Sequence, residues 1–251
     1  MKIPGYKFWI TGFGRSGTKW LANTLATVKP GHVYHEPCIA FDKAAPRYGA
    51  RASLEWWCEQ RMPKMQELVD RDWSLWEGSP WYGEVNSLIR YHCAAIRATY
   101  PTAPLLHLYR DGRDVVRSLH ARQIFVEGGG VNNTICPQEL DPYFSEWEGL
   151  TRHQKLCWFW QDGIRSVFWH ATGKIQFEKM TSDYDYFWEH VVAPTGVEVP
   201  RATWETFGSV PGVLQNTTKT HKKAPYSGWT SEEKRHFWQI CGPAMALLGY
   251  T

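Results

Sequence analysis

One segment near the amino terminus limits what this chain can fold into. Residues 7–25 read KFWITGFGRSGTKWLANTL, which is an apolar run, a loop with three glycines and a helix-forming stretch. The apolar run predicts a buried β-strand, and the glycines allow the backbone to turn sharply and to approach a ligand closely. A strand, loop and helix in this order direct backbone N–H groups and the positive end of the helix at one anion. The segment therefore predicts a P-loop-like, phosphate-binding loop.

The residue order separates this loop from the P-loop of NTPases. That pattern is GxxxxGK[ST], in which the lysine reaches the phosphates and the hydroxyl binds Mg²⁺. Gly12 and Gly17 keep the glycine spacing, but Thr18 precedes Lys19, so the last two positions are exchanged. A cation lies inside the loop instead, at Arg15. The loop therefore predicts phosphate binding without the arrangement that Mg²⁺–ATP chemistry requires, although the glycine spacing alone also fits an ordinary strand-to-helix turn.

The hexapeptide RSGTKW at residues 15–20 resembles the 5′-phosphosulfate loop of the sulfotransferases that use 3′-phosphoadenosine 5′-phosphosulfate (PAPS). In that family a basic residue precedes Ser-Gly-Thr, and a tryptophan often follows two residues later. The resemblance implies that this loop binds the 5′-phosphate and that the indole stacks on adenine. The residues to which it assigns the cofactor are Arg15, Ser16, Gly17, Thr18, Lys19 and Trp20.

A second motif follows the clearest buried strand of the sequence. The run LLHLY at 105–109 leads directly into Arg110 and a helix-forming segment that Asp111 can cap. Ser118 lies eight residues after Arg110 (118 − 110 = 8), with an Asp-Val pair between them. This segment resembles the second motif of the same sulfotransferases, in which an arginine and a serine at this spacing hold the 3′-phosphate. A strand-end ion pair and a solvated serine are the structural alternatives.

A third, weaker resemblance lies near the carboxyl terminus. Residues 219–229, KTHKKAPYSGW, precede a predicted helix at 231–248 that ends in Leu-Gly-Tyr. In sulfotransferases, the last part of the chain commonly contains such a basic segment, which folds over the 3′-phosphate. This resemblance implies a nucleotide-covering loop at 215–229. The segment departs from the Arg-Lys-Gly form of the cytosolic members. We assign Lys222 and Lys223 to the phosphate, and a solvated basic turn is the alternative for each.

The rest of the chain alternates strand-like and helix-like segments, as a parallel α/β sheet requires. We expect a three-layer α/β/α fold with a central parallel sheet of about five strands. The predicted strands lie at 8–11, 32–35, 73–76, 105–109 and 174–177. The predicted helices lie at 17–28, 52–70, 84–99, 143–170, 183–192 and 231–248.

Composition fits one domain over residues 1–251, because 251 residues with 43% hydrophobic content can bury one sizeable core. The net charge of +3 does not indicate a broad basic face, so no nucleic-acid partner is expected. The six cysteines form no CxxC pair, which argues against a zinc site or a disulfide scaffold. With no apolar run of about 18 residues and no signal-like start, we expect a cytoplasmic protein without a membrane span. A longer parent protein with an anchor and the oligomeric state both stay open.

The family resemblance implies transfer of the sulfuryl group of PAPS to a hydroxyl or an amine, without a metal. In such a reaction Arg15 stabilises the charge of the leaving phosphate, but arginine cannot release a proton, so Lys19 is a second candidate for that role. The general base is expected at the end of the predicted strand 32–35, where ligands of parallel sheets bind. Branches of the family use a glutamate or a histidine there. We favour Glu36, which lies beyond the strand, and His35 is the alternative.

The expected acceptor is a small molecule or a carbohydrate. Trp81, Tyr82 and Glu84 are candidates for an acceptor-binding wall, and aromatics that cover the core are the alternative reading. The glycine-rich segment 123–137 is either a mobile lid over the acceptor or a disordered insertion. Two other functions compete. A P-loop small-molecule kinase would need Mg²⁺ and ATP, and a non-catalytic carbohydrate-binding module would leave Arg110 and Ser118 unexplained.

Overall fold

The structure, a computed structural model, describes residues 6–29, 32–71, 81–128, 135–209 and 223–251. The chain divides into two compact units. Residues up to Tyr109 together with Ser166–Thr217 form the first, which we call the sheet unit. Arg110–Arg165 and Thr218–Thr251 form the second, which we call the helical unit.

The sheet unit contains one five-stranded parallel sheet with the strand order β2-β3-β1-β4-β5. Its strands are β1 (Tyr6–Gly12), β2 (His32–His35), β3 (Trp81–Val85), β4 (Leu105–Tyr109) and β5 (Gly173–Gln176). The central strand β1 pairs with β3 on one side and with β4 on the other. This sheet confirms the α/β fold class with a five-stranded parallel sheet between helices.

Helices fill most of the remaining chain. In chain order they are α1 (Thr18–Leu25), α2 (Ile39–Lys43), α3 (Ala50–Trp56), α4 (Met62–Arg71), α5 (Cys93–Thr99), α6 (Gly112–Leu119), α7 (Arg152–Phe168), α8 (Phe177–Ser182), α9 (Tyr184–Phe187), α10 (Ala193–Thr195), α11 (Arg201–Ser209) and α12 (Ser231–Leu247). Two π-helical turns lie at Trp57–Arg61 and Trp188–Val192, and 3₁₀ turns lie at Leu88–His92, Trp147–Gly149 and Tyr226–Gly228. None of the described helices is both long enough and apolar enough to cross a membrane.

Alternation along β1 explains why the sheet is covered on both faces. Phe8 and Ile10 point to one face and belong to a buried cluster that includes Trp20 of α1. Trp9 points to the other face, where it packs against Trp57 and other buried side chains. Because both faces bury large apolar side chains, each can be stable only under a layer of helices.

One strand of the sheet was not predicted from the sequence. The helix predicted at 84–99 overlaps β3, which spans Trp81–Val85, and the helical turns begin only at Leu88. A glycine and a glutamate in this strand are atypical of buried strands, and Arg61, which neutralises Glu84, lies 23 residues away in the sequence. The predicted strand at 73–76 lies outside the described residues.

The helical unit has its own aromatic core. The rings of Trp160 in α7 and Phe237 in α12 are stacked, with their centroids 6.5 Å apart. At the start of α12, Thr230 and Glu233 form a capping box, in which each side chain accepts a hydrogen bond from the other residue's backbone N–H. The terminal helix predicted at 231–248 is confirmed by α12, whereas the helix predicted at 143–170 begins only at Arg152.

Candidate functional site

The loop between β1 and α1 has a backbone that few sequences can adopt. Gly17 has a φ of +92°, and a side chain there would collide with the ring of Phe177. Arg15 also has a positive φ, +79°, which costs a non-glycine residue on the order of 1 kcal/mol. The amide of Ser16 donates to the carbonyl of Phe13 at 3.3 Å and closes the turn. Glycine at 17 is therefore required by its conformation and by its neighbour.

The end of this loop has the features of an anion site. No side chain among the described residues caps the start of α1, and its first turn contains no acidic residue. Its first backbone N–H groups therefore lack a side-chain acceptor at the positive end of the helix. The hydroxyl of Ser16 is fully buried and has no hydrogen-bond partner in the described part of the chain. A buried donor next to uncapped amides is the arrangement that binds phosphate in other loops of this kind.

Trp20 does not lie in this anion site. Its indole is 2% exposed, its Nε1 donates to the carbonyl of Phe207 at 2.9 Å, and its ring packs edge-on against Phe187. The ring is therefore part of the core of the sheet unit. We no longer assign Trp20 to adenine, because stacking requires an exposed ring face.

The two candidate bases follow one another at the end of β2 but have different partners. Nε2 of His35 lies 3.3 Å from Oγ1 of Thr18, so the imidazole contacts the phosphate loop. Burial lowers the pKa of His35, the charge of Glu36 opposes this shift, and Lys19 adds to it. The carboxylate of Glu36 instead accepts a hydrogen bond from Oγ of Ser87 at 2.5 Å. The imidazole is held against the loop, and the carboxylate is held by the chain that follows β3.

Backbone strain is concentrated at the predicted reaction site. Among the described non-glycine residues, Arg15, Glu36 and Phe125 have a positive φ. Two of these three are the residues that we predicted for charge stabilisation and for proton transfer. Left-handed conformations of non-glycine residues persist when surrounding contacts fix them, and such residues cluster at functional sites.

Sequence reasoning missed Ser87. The residue is 7% exposed and lies two positions after the end of β3, the strand next to β2 in the sheet. The helix predicted at 84–99 contains Ser87, so the sequence pattern does not place this residue at a strand end. The signal that could have found it is its position just beyond a strand, where parallel sheets place ligand-binding residues.

Two of the three predicted acceptor residues are buried in a charged network. Arg61 forms ion pairs with Asp42 at 2.6 Å and with Glu84 at 2.5 Å, and all three side chains are fully buried. The hydroxyl of Tyr82 donates to Glu84 at 2.8 Å, and Nδ2 of Asn86 donates to both carboxylates. Tyr82 and Glu84 are therefore core residues with no surface for an acceptor, which corrects their assignment.

Trp81, the third predicted acceptor residue, opens β3 and is half-buried. Its indole Nε1 has no accessible surface. The other predicted part of the acceptor site, the segment 123–137, is described only at 123–128 and 135–137. The ring of Phe125 packs edge-on against Trp147 and Phe159, and Arg152 donates to the carbonyl of Ile124 at 3.0 Å. The described ends of the segment are anchored, and the lid stays a prediction.

In the helical unit, the second motif has the predicted local structure. The carboxylate of Asp111 accepts the amide of Arg113 at 2.8 Å and caps α6. Nη2 of Arg110 donates to Asp114 at 2.7 Å, and both side chains are partly exposed. Ser118 is 5% exposed and lies one turn after Asp114. The spacing of four residues places Asp114 and Ser118 on one side of α6, and the ion pair with Asp114 holds the Arg110 guanidinium beside the start of this helix.

Of the two predicted C-terminal lysines, only Lys223 belongs to the described residues. Its ammonium forms an ion pair with Glu233 and lies 5.1 Å from the ring centroid of Trp229. Burial would raise the pKa of Glu233, but the hydrogen bonds from Lys223 and Thr230 lower it to about 2. Nε of Arg117 donates to the carbonyl of Lys223 at 3.3 Å. Lys223 therefore fixes the basic segment to the start of α12, and Lys222 lies outside the described residues.

Comparisons with known proteins add no assignment. No family model matches this chain, and a search of the curated proteins gives no match. Among the residues that the structure describes, no group of three or more His, Cys, Asp or Glu side chains could hold a metal ion. The function has to be inferred from the motifs and their geometry.

Proposed function

We propose that this protein is a sulfotransferase that moves the sulfuryl group of PAPS to a hydroxyl or an amine of a small-molecule or carbohydrate acceptor. The observation that carries the proposal is the loop between β1 and α1. It combines a buried Ser16 hydroxyl that lacks a partner in the described chain with an uncapped helix start and a cation, Arg15, in a strained conformation. These residues fit an anionic group at the end of a nucleotide, because both the amides and the cation favour negative charge.

The second motif favours a ligand with two separate anionic groups. In the sheet unit β1 and β4 are parallel neighbours, with Gly12 opposite Leu108, so their carboxyl ends lie at the same edge of the sheet. The phosphate loop follows β1, and Arg110 is bonded to Tyr109, the last residue of β4. PAPS has such a charge distribution, with a 5′-phosphosulfate and a 3′-phosphate. We assign the 3′-phosphate to Arg110 and Ser118, with Lys222 and Lys223 as further candidates.

PAPS would supply an activated sulfuryl group, and the chain would supply position and charge. The amides of residues 16–19 and the hydroxyl of Thr18 would hold the 5′-phosphate, while Arg15 would stabilise the charge that it gains as the sulfur–oxygen bond breaks. Lys19 is the group near the loop that can also release a proton. This division suits a transfer in which in-line positioning and charge stabilisation do most of the catalysis, as in phosphoryl transfer.

Glu36 is the proposed general base. Its carboxylate would accept the proton that the acceptor oxygen loses as that oxygen bonds to sulfur. The hydrogen bond from Ser87 to Oε1 supports this role, because it fixes the carboxylate and leaves its other oxygen for the acceptor. The contact of His35 with Thr18 supports a positioning role, in which a neutral imidazole orients the loop hydroxyl. Exchange of these two roles is the alternative.

The described cysteines are free thiols, and we propose a reducing, cytoplasmic location on that basis. The decisive experiment for the activity is calorimetry with 3′,5′-ADP, the expected product, and with ATP. Binding of 3′,5′-ADP that is unchanged by EDTA supports the proposal, whereas Mg²⁺-dependent binding of ATP alone indicates a kinase. Transfer of labelled sulfate from PAPS to pooled acceptors then tests the reaction directly.

A further inference from the structure

One buried arginine of the sheet unit contacts both the phosphate loop and the chain that holds the proposed base. Arg90 lies in the 3₁₀ turn Leu88–His92, which follows β3, and it is 5% exposed. The sequence motifs assign no role to this residue. Because a buried charge needs specific contacts, the partners of the guanidinium indicate which parts of the molecule it holds together.

The first of these contacts is with Ser87, the residue that holds Glu36. Nη1 of Arg90 donates a hydrogen bond to the carbonyl oxygen of Ser87 at 2.7 Å. The side chain of Ser87 in turn donates to Oε1 of Glu36 at 2.5 Å. A hydrogen bond from a charged donor is stronger than one between neutral groups. The guanidinium therefore restrains the main chain from which the hydroxyl of Ser87 reaches the carboxylate.

The second contact is with Phe13, which follows β1 and begins the phosphate loop. Cζ of Arg90 lies 5.0 Å from the centroid of the Phe13 ring, and Phe13 is 2% exposed, so this cation–π contact is buried. The carbonyl of Phe13 accepts the amide of Ser16 and closes the loop. The guanidinium thus contacts the loop at the residue on which its turn is anchored.

The phosphate loop and the hydroxyl of Ser87 are also direct neighbours. A Cβ atom placed on Gly14 would lie 3.7 Å from Oγ of Ser87, which is an ordinary van der Waals distance. The hydroxyl that holds Glu36 therefore lies beside the loop, and the separation of loop and carboxylate depends on how Ser87 is held. This separation matters for a group transfer, because a misplacement of about 1 Å can cost about 10²-fold in rate.

We propose that Arg90 is a positioning residue that holds the phosphate loop and Glu36 at the separation that sulfuryl transfer requires. This inference rests on the proposed function. The guanidinium would act through Phe13 on one side and through Ser87 on the other. The acceptor oxygen would bond to sulfur as the bond from sulfur to the 5′-phosphate oxygen breaks, and its proton would pass to Glu36. Arg90 would take no part in these steps and would fix the place of the carboxylate.

Arg90→Met tests the inference, because it keeps an unbranched apolar side chain and removes the guanidinium. The kcat per binding site should fall about 10- to 100-fold, as measured with labelled PAPS and pooled acceptors. The KM for PAPS and the affinity for 3′,5′-ADP should change less than about threefold, because the loop amides and Arg15 remain. Calorimetry with 3′,5′-ADP counts the sites. A merely structural role would reduce the number of sites and leave kcat per site unchanged, and that result overturns the inference.

Two further variants control for the loss of an arginine. Arg97 of α5 also donates to a main-chain carbonyl, that of Ala103 at 3.3 Å, so Arg97→Met should keep the kcat of the unaltered protein. Arg90→Lys should recover most of the lost activity, because an ammonium group can donate to the same carbonyl. Equal losses of kcat in Arg90→Met and Arg97→Met contradict a positioning role.

If Arg90→Met does not fold, Phe13→Leu takes its place. This variant removes the ring beside the guanidinium and keeps an apolar side chain. It should lower kcat severalfold and leave the affinity for 3′,5′-ADP nearly unchanged. An unchanged kcat per site overturns the inference.

A double-mutant cycle tests whether Arg90 acts through Ser87. Ser87→Ala removes the hydroxyl that holds Glu36, so it should lower kcat by itself. In this background most of the effect of Arg90→Met should disappear, because the two residues position the same carboxylate. If the two losses multiply, Arg90 does not act through this hydroxyl and the inference is wrong.

The unaltered protein separates this inference from the proposed function. If it neither binds 3′,5′-ADP nor transfers sulfate from PAPS, the proposed function fails, and the role of Arg90 fails with it. If it transfers sulfate and Arg90→Met transfers it at the same rate per site, only the role of Arg90 fails.

Discussion

The sheet unit contains two buried polar regions that differ in one respect. In the Arg61 network, formed by Asp42, Arg61, Tyr82, Glu84 and Asn86, each carboxylate is paired with the guanidinium and accepts further hydrogen bonds. In the phosphate loop, the Ser16 hydroxyl has no partner within the described chain, the helix start is uncapped and Arg15 is strained.

The difference teaches where to look for function in this molecule. In the network both carboxylates are paired and hydrogen-bonded, although Nη1 of Arg61 has no hydrogen-bond partner in the described part of the chain, and folding best explains these contacts. The loop differs because it combines an unpartnered hydroxyl with an uncapped helix start and backbone strain, and such strain persists in folded proteins when a ligand or a reaction uses it. The two regions meet at consecutive residues, because Asn86 belongs to the network and Ser87 holds Glu36. The network thus supports the chain that positions the proposed base.

The largest expected effect is a loss of activity without a loss of stability when the proposed base is replaced. Glu36→Gln should lower kcat by about 10²- to 10⁴-fold, because the amide cannot accept the acceptor proton. The affinity for 3′,5′-ADP, measured by calorimetry, should change little, and so should the urea midpoint. If this variant stays active while His35→Ala is inactive, the two roles have to be exchanged.

A substitution in the Arg61 network should instead lower the stability of the protein. Arg61→Ala leaves two buried carboxylates without their cation and should lower the free energy of unfolding by about 3–5 kcal/mol. Urea denaturation measures this loss, and Arg51→Ala is the matched control, since its ion pair with Glu55 is exposed and should matter little. A loss below about 1 kcal/mol for Arg61→Ala would remove the distinction between the two regions.

The Arg61 network also shows why some parts of the fold could be predicted from the sequence and others could not. Local patterns sufficed for β1, the glycine loop, β4 and the capped start of α6, because strand hydrophobicity and capping depend on neighbours in the chain. They failed at Trp81–Val85, where a buried glutamate is compatible with a strand only because a distant arginine neutralises it. Helix propensity could not reveal this pairing, so Tyr82 and Glu84 were misassigned and Ser87 was missed.

In the candidate site, too, only the features set by neighbouring residues could be predicted from the sequence. The loop residues and the pair of candidate bases followed from the order of residues around a strand end. Ser87 did not, because its hydrogen bond to Glu36 joins residues that are 51 positions apart in the sequence (87 − 36 = 51). Trp20 followed the family pattern, but the sequence could not show that Phe187 and Phe207 surround its ring.

A smaller effect is expected from the second phosphate motif. Arg110→Ala should weaken the binding of 3′,5′-ADP by about 1.5–3 kcal/mol, as expected for loss of a charge-assisted contact. Adenosine 5′-phosphosulfate lacks the 3′-phosphate, so its affinity should fall much less. Asp114→Asn is the control, because it removes the partner of Arg110 and leaves the guanidinium in place. Equal losses for both nucleotides would assign Arg110 a structural role instead.

The smallest effect compares one buried hydroxyl from each region. Tyr82→Phe removes a hydroxyl that donates to a buried carboxylate and should lower the free energy of unfolding by about 1.5–3 kcal/mol. Ser16→Ala removes a buried hydroxyl that has no partner in the described chain, so stability should be unchanged or should rise by up to about 1 kcal/mol. The same Ser16 variant should bind 3′,5′-ADP more weakly, by about 1 kcal/mol. Urea denaturation and calorimetry on both variants measure these changes. If Ser16→Ala loses stability and keeps its affinity for 3′,5′-ADP, the hydroxyl serves the fold and the loop loses its main argument as an anion site.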